Sequence, residues 1–180
     1  MNKIIRKVLF IGALYALMEN TVMLRVRHEN LGGDIKAAHI SDLHKRSFGR
    51  NNSRICRKIE REAPDIILIT GDLVSRSSRN FDTASKTLEQ LCRIAPVYMI
   101  LGNHEKSIHR DNISAFKDAV RKSGAILLKN DCVSLNIKGK KIKLYGLSEK
   151  YSTYKKNNGY RDLDKLTVED LEKNMGKWEK

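Results

Sequence analysis

Three short apolar runs set the strongest constraint on the fold. Residues 35–41, 65–70 (DIILIT) and 97–101 (VYMIL) are rich in aliphatic side chains and begin roughly 30 residues apart. All three read as strands, and the continuous runs DIILIT and VYMIL predict buried ones, DIILIT on both faces. Between them the period changes to that of a helix. Ile55 and Ile59 stand at helical spacing within 52–62, and Pro64 stops that helix. Ala84, Leu88, Leu91 and Ala95 line a second helix over 81–94, ended by Pro96. Strands joined by such helices must run parallel, with right-handed crossovers. A third helix over 111–123 turns Ile113, Phe116, Ala119 and Val120 inward and closes at Gly124. Short strands at 125–128, 133–137 and 142–147 follow. The polar turn Lys138-Gly139-Lys140 makes the last two a hairpin. The fold class is therefore α/β, a parallel βαβαβ sheet with a following hairpin.

Composition agrees. The 180 residues are 41% hydrophobic and 31% charged, too rich in Ile, Leu and Val for a disordered chain. Their number predicts one domain rather than two large ones. The net charge of +14 is spread along the chain without a basic tail. It favours anionic partners (phosphates, lipid head groups or nucleic acid), and a solvated basic surface explains it equally well. Cys56, Cys92 and Cys132 form no CxxC pair, which argues against a disulfide framework and excludes a structural zinc knot.

Residues 1–30 form a separate hydrophobic, signal-anchor-like segment. Lys3, Arg6 and Lys7 precede an uncharged run from Val8 to Met18. A spanning helix needs about 20 apolar residues, so this run reads as a signal-peptide core or a short anchor. No small-x-small cleavage site follows, so retention is the expectation. An amphipathic helix packed on the domain is the alternative. The domain itself runs over residues 35–180.

In a parallel sheet, ligand sites lie beyond the carboxyl ends of the strands. All three ends carry chemistry: Asp42-Leu43-His44, Gly71-Asp72, and Gly102-Asn103-His104-Glu105. In extended chain, residues i and i+2 point the same way, so Asp42 and His44 are expected to aim together. Glycine at two exits permits a tight turn. Taken singly, the acids read as caps, Asn103 as a turn residue and His104 as a surface histidine. Jointly, acid, imidazole and amide groups at three successive strand ends point to a metal site. Mixed N and O ligands suit Mn, Fe or Zn better than Ca. His39 is expected to be packed within its strand, and His28 and His109 to lie in polar loops, His109 near the pocket rim.

These motifs, within SDLH, PDIILITGDLV and APVYMILGNHE, resemble the opening motifs of the calcineurin-like metallophosphoesterases. The resemblance covers about residues 35–147. It is closest to a bacterial membrane-associated branch with an amino-terminal hydrophobic segment. It implies the front part of a metallophosphoesterase-type α/β sandwich with two sheets. The implied activity is hydrolysis of a phosphomonoester, phosphodiester or pyrophosphate by a hydroxide at a dinuclear metal site. By resemblance Asp42 and His44 bind one metal, and Asp72 bridges both. Asn103 binds the second through its amide oxygen. His104 binds no metal and acts beside the leaving group, and Glu105 stands behind the ligands. A bridging carboxylate can hold two divalent ions about 3.5–4 Å apart, a clamp for in-line displacement.

The family's pattern continues with an isolated His and a Gly-His-x-His, but no His follows His109 here. One metal keeps Asp42, His44 and Asp72. The other keeps only Asp72 and Asn103. In the tail, Thr167 caps a stripe of Val168, Leu171, Met175 and Trp178 at helical spacing. The expectation is a truncated product or a fragment of a longer chain. Three functions follow. The first is a phosphoesterase with two divalent metal ions, at the extracytoplasmic face of a bacterial membrane, its phosphate-ester substrate lipid-linked. The second is a catalytically impaired remnant binding at most one metal. The third is a nuclease or nucleic-acid binder, against which stands the lack of a concentrated basic, aromatic-interleaved surface. No motif marks an oligomeric state.

Overall fold

The structure, a computed structural model, describes residues 5–13, 24–147, 156–157, 160–161, 169 and 172. The chain divides into two units, Met1–Asp34 and Ile35–Lys180. In the first, residues 5–13 are helical, and Ile5, Val8, Leu9, Phe10 and Ile11 are exposed. Among the described residues no helix is long and apolar enough to cross a membrane. Residues 14–18 of the expected apolar run lie outside the described residues. So do Thr167, Val168, Leu171, Met175 and Trp178 of the expected tail helix.

The second unit runs β1 (Ala37–Ile40), α1 (Ser53–Glu62), β2 (Ile66–Ile69), α2 (Asp82–Cys92), β3 (Val97–Met99), α3 (Asn103–Lys106), α4 (Arg110–Lys122), β4 (Ile126–Leu127), β5 (Asp131–Ile137) and β6 (Lys140–Gly146). A short antiparallel pair, β7 (Lys156–Asn157) and β8 (Tyr160–Arg161), follows. Strands β1 to β4 form one parallel sheet in chain order, as the βαβ rhythm requires. β5 and β6 pair antiparallel around Lys138 and Gly139, both at positive φ, the backbone of a two-residue hairpin turn. Lys140, expected in that turn, already pairs with Ile137.

The DIILIT run is covered on both faces, as its composition predicts. Ile67 and Ile69 are buried on one face, with Val97 and Met99 beside them and Leu88, Leu91, Phe116 and Val120 of the helices also buried. On the other face Ile66, Tyr98 and Leu128 form a core capped by Val133, Leu135, Ile137 and Leu144 of the hairpin. Each such aliphatic side chain stabilises the fold by about 1.5–3 kcal/mol. Phe81 and Phe116 meet edge to face, ring centroids 5.3 Å apart, joining α2 to α4. Helix ends follow their sequence signals. Ala63 takes a left-handed φ of 46° before Pro64, and Gly124 one of 88° after α4.

Two expectations need correction. His39 is exposed rather than packed, because β1 is the sheet's edge; its Nε2 lies 2.7 Å from Thr70 Oγ1. The four-residue helix α3 was not expected, being too short for any periodicity to announce it. A cleft of about 330 Å³, lined by Asp65, Pro96, Tyr98, Leu135 and Lys138, opens at the amino ends of β2 and β3. It lies at the opposite end of the strands from the motif residues.

Candidate metal centre

The turns leaving β1, β2 and β3 are bonded to one another. The Asp42 N–H donates to the Gly71 carbonyl (3.3 Å), and the His44 N–H to the Asp72 carbonyl (2.8 Å). Gly71 has φ 107°, and a Cβ there would lie 2.5 Å from Gly102 Cα; a Cβ on Gly102 would lie 2.6 Å from Asp72 N. Two glycines thus let the β2 and β3 exits touch main chain to main chain. Behind the β1 exit, Asn52 Oδ1 accepts the Phe48 N–H and its amide donates to Thr87 on α2, anchoring that turn.

Asp42, His44 and Asp72 all sit at left-handed φ, 58°, 48° and 56°. Asp42 and His44 are therefore not in the extended conformation expected for them. A left-handed turn brings them together, with His44 Nε2 3.5 Å from Asp42 Oδ1. Such backbone costs a non-glycine residue about 1 kcal/mol or more and persists only where surrounding contacts enforce it.

Glu105 supplies that enforcement at Asp72. Its side chain is fully buried. Oε2 accepts the Asp72 N–H (2.8 Å) and the Gly102 N–H (3.0 Å), and Oε1 accepts the Val74 N–H (3.0 Å). Burial pushes its carboxyl pKa up, the main-chain N–H groups of Val74, Asp72 and Glu105 itself pull it back, and the Asp72 charge pushes it up again. Both oxygens act as acceptors, the pattern of a carboxylate. The Asp72 carboxylate is itself fixed by the His104 N–H, 2.9 Å from Oδ1.

His44 Nε2 is also 3.9 Å from Asp72 Oδ2. One nitrogen of His44, one oxygen of Asp72 and one nitrogen of His104 lie within 4.8 Å of one another. The two imidazole rings are 4.2 Å apart. Asp42 joins this group through His44 and is the exposed member, one of its oxygens accepting from Ser41 Oγ. Asn103 heads α3 between Gly102 and His104, half-buried, its carbonyl accepting from Ser107 Oγ at 2.5 Å. His104, which the resemblance keeps off the metals, thus stands among these ligand atoms.

These residues fit a divalent cation. Separations of 3.5 and 3.9 Å are too long for hydrogen bonds. Two ligand atoms on a tetrahedral zinc lie about 3.4 Å apart, which matches. His44 Nε2 faces both carboxylates, while its buried Nδ1 has no hydrogen-bond partner among the described residues. Asp42, Asp72 and Glu105 gather negative charge that a cation would neutralise.

His104 is held differently from His44. Its Nδ1 accepts the Arg76 main-chain N–H at 3.3 Å. Burial first, then the His44 and Arg76 charges, hold its pKa below the usual imidazole range, against the pull of Asp72 and Asp42. The main-chain donors at Val74, Arg76 and Gly102 were missed from sequence, since no residue type announces an N–H.

Residues 35–179 match the family model described as calcineurin-like phosphoesterase. An uncharacterized metallophosphoesterase of Aquifex aeolicus is 32% identical over 107 residues, 58% of this chain and 40% of the relative. Uncharacterized metallophosphoesterase YkoQ of Bacillus subtilis is 26% identical over 131 residues, 70% of this chain and 48% of the relative. The chain therefore spans less than half the length of these curated relatives. The crystal structure of a phosphopantetheinyl hydrolase from Mycobacterium tuberculosis is similar over 64% of this chain and 43% of that one, with a TM-score of 0.45 and 20% identity. With most of its length matched by the family model, and with the family's motifs gathered at one edge of a parallel sheet, this chain belongs to the calcineurin-like phosphoesterases.

Proposed function

We propose that this chain carries the metal-binding front of a phosphoesterase that hydrolyses a phosphomonoester, phosphodiester or pyrophosphate. The observation that carries this reading is the set of Asp42, His44 and Asp72, whose carboxylate oxygens stand 3.5 and 3.9 Å from His44 Nε2, spaced as ligands rather than as hydrogen-bond partners. Asp42, His44 and Asp72 would hold one ion, Mn, Fe or Zn by their donor types. Asp72 and the Asn103 amide oxygen would contribute to a second. When bound, such ions supply a Lewis acid for the phosphoryl oxygens and a water of lowered pKa.

The chain's own residues do the rest. Glu105 and the His104 N–H fix Asp72, so this ligand does not have to reorganise as charge develops. His104, neutral near pH 7, donates a hydrogen bond to the phosphoryl group or the departing oxygen. A membrane-facing, lipid-linked substrate is part of the proposal, supported by the exposed apolar side chains Val8, Leu9, Phe10 and Ile11 on the helical segment 5–13. The second reading, a remnant with one metal, is favoured by the convergence of His44, Asp72 and His104 about a single point.

Manganese titration followed by electron paramagnetic resonance separates the two. Binding of two ions per chain, with hydrolysis of bis(4-nitrophenyl) phosphate that Asp72→Ala abolishes, supports the enzyme. One ion or none supports the remnant. Equal hydrolysis by both proteins would show the site to be misassigned. Co-sedimentation of the full chain with anionic vesicles, against a chain lacking residues 1–34, tests the membrane reading.

A further inference from the structure

We propose that the Ser75–Ser78 turn is a positioning element for His104: its Arg76 main-chain N–H holds the imidazole in the one tautomer that keeps a proton on Nε2. The proposal rests on the phosphoesterase reading only for its consequence, not for its geometry.

The turn is built from its ends. The Ser78 N–H donates to the Ser75 carbonyl at 2.8 Å, closing a four-residue turn with Arg76 second and Ser77 third. The Ser75 N–H donates to Ser78 Oγ at 3.2 Å, and the Ser75 and Ser77 hydroxyls lie 3.4 Å apart. One residue earlier, the Val74 N–H is tied to Glu105. In such a turn the N–H of the second residue takes no part in closure, so it is available to an outside acceptor. Here that acceptor is His104 Nδ1, at 3.3 Å. The histidine is fixed from its own side as well, through its N–H on Asp72 and its place in α3 between Gly102 and Glu105.

The chemistry follows from counting protons. A neutral imidazole has one nitrogen with a proton and one without. A ring that accepts an N–H at Nδ1 must carry its proton on Nε2. That nitrogen has no lone pair in the ring plane to offer a metal. His104 is then a donor and not a ligand, although it lies within 4.8 Å of the His44 and Asp72 ligand atoms. The turn thereby decides between two roles that proximity alone leaves open. Arg76 is the positioning residue, and it acts through its backbone, not its guanidinium.

The second position of a turn is where proline is favoured. Arg76→Pro therefore removes the N–H while suiting the turn, and Arg76→Ala keeps the N–H while removing the side chain. The probe is long-range ¹H–¹⁵N correlation on the full chain labelled with ¹⁵N-histidine, His104 being assigned from the signals missing in His104→Gln. The native chain and Arg76→Ala should show one unprotonated Nδ1 and one protonated Nε2 for His104. Arg76→Pro should lose that single-tautomer pattern and give averaged nitrogen shifts. Zinc added to the native chain should shift His44 and leave the His104 Nε2 proton in place. An Nδ1-protonated ring in the native chain would overturn the proposal. So would an unchanged pattern in folded Arg76→Pro, or loss of the His104 Nε2 proton on adding zinc. The tautomer is read before any metal is present, so a failure to bind zinc would count against the metal reading and leave the tautomer result standing.

Discussion

Glu105 shows how charge and hydrogen bonding divide the work of holding the site. It is fully buried and accepts three main-chain N–H groups, from Asp72, Gly102 and Val74. Glu105→Ala strands all three donors, each at about 1–3 kcal/mol. Relaxation recovers part, so the expected loss is about 3–5 kcal/mol, large for one substitution. Glu105→Gln keeps the shape and one acceptor oxygen. It sets an amide NH₂ against one N–H, a loss of about 1–3 kcal/mol. It also removes a buried charge beside Asp72. Burial, and then Asp72, outweigh the N–H donors and raise the Glu105 pKa above its ordinary 4.5, so the charged form is less favoured in the fold than in the unfolded chain. The two changes oppose each other, and Glu105→Gln should stay within about 2 kcal/mol of the native chain near pH 7. The pH dependence has a definite sign. With the folded pKa above the unfolded value, the Glu105 contribution is full below pH 4.5 and is lost as pH rises through the folded pKa. Native stability should fall across that window, and the deficit of the Gln variant should narrow with it. Urea denaturation of the metal-free chains at a series of pH values measures both. If Glu105→Gln is as damaging as Glu105→Ala near pH 7, or its deficit widens as pH rises, the buried charge is a net stabiliser and this reasoning is wrong.

Other outcomes are as specific. Gly102→Ala puts a Cβ against Asp72, so it should lower both the melting temperature and zinc affinity in calorimetry. Gly124→Ala, with nothing nearer than Cys92 at 3.9 Å, should lose only the roughly 1 kcal/mol of its positive φ and leave zinc affinity alone. The Lys138 ammonium, 2.6 Å away, and then the Lys36 N–H hold the Asp65 pKa below its ordinary 3.8. That stabilisation is present above pH 3.8 and is lost as pH falls through the folded value, so Lys138→Met should move the acid-unfolding midpoint to higher pH by circular dichroism. Burial raises the thiol pKa of Cys56 and Cys92, while Cys132 is exposed on β5. Timed iodoacetamide labelling read by mass spectrometry should modify Cys132 first.

The parts of the fold that repeat were legible from sequence. Apolar runs and proline or glycine stops placed β1 to β6 and the three long helices to within a few residues, because burial of one face or two leaves a periodic trace. The candidate site was legible as a list, since Asp42, His44, Asp72, Asn103 and His104 all follow strands. Its internal geometry was not. The left-handed φ of Asp42 and His44 comes from hydrogen bonds to the neighbouring turn at Gly71 and Asp72, a non-local cause that two-residue periodicity cannot register. The exposure of His39 depends on β1 being an edge, which is a property of the whole sheet.

The strained backbone at Asp42 makes chemistry and folding stability pull against each other at that position. Asparagine matches aspartate in shape and tolerates left-handed backbone better. Asp42→Asn should therefore keep the melting temperature of the metal-free chain or raise it, while weakening zinc binding. Selection for stability alone would favour the amide, so a carboxylate held in this conformation points to selection for what the carboxylate binds.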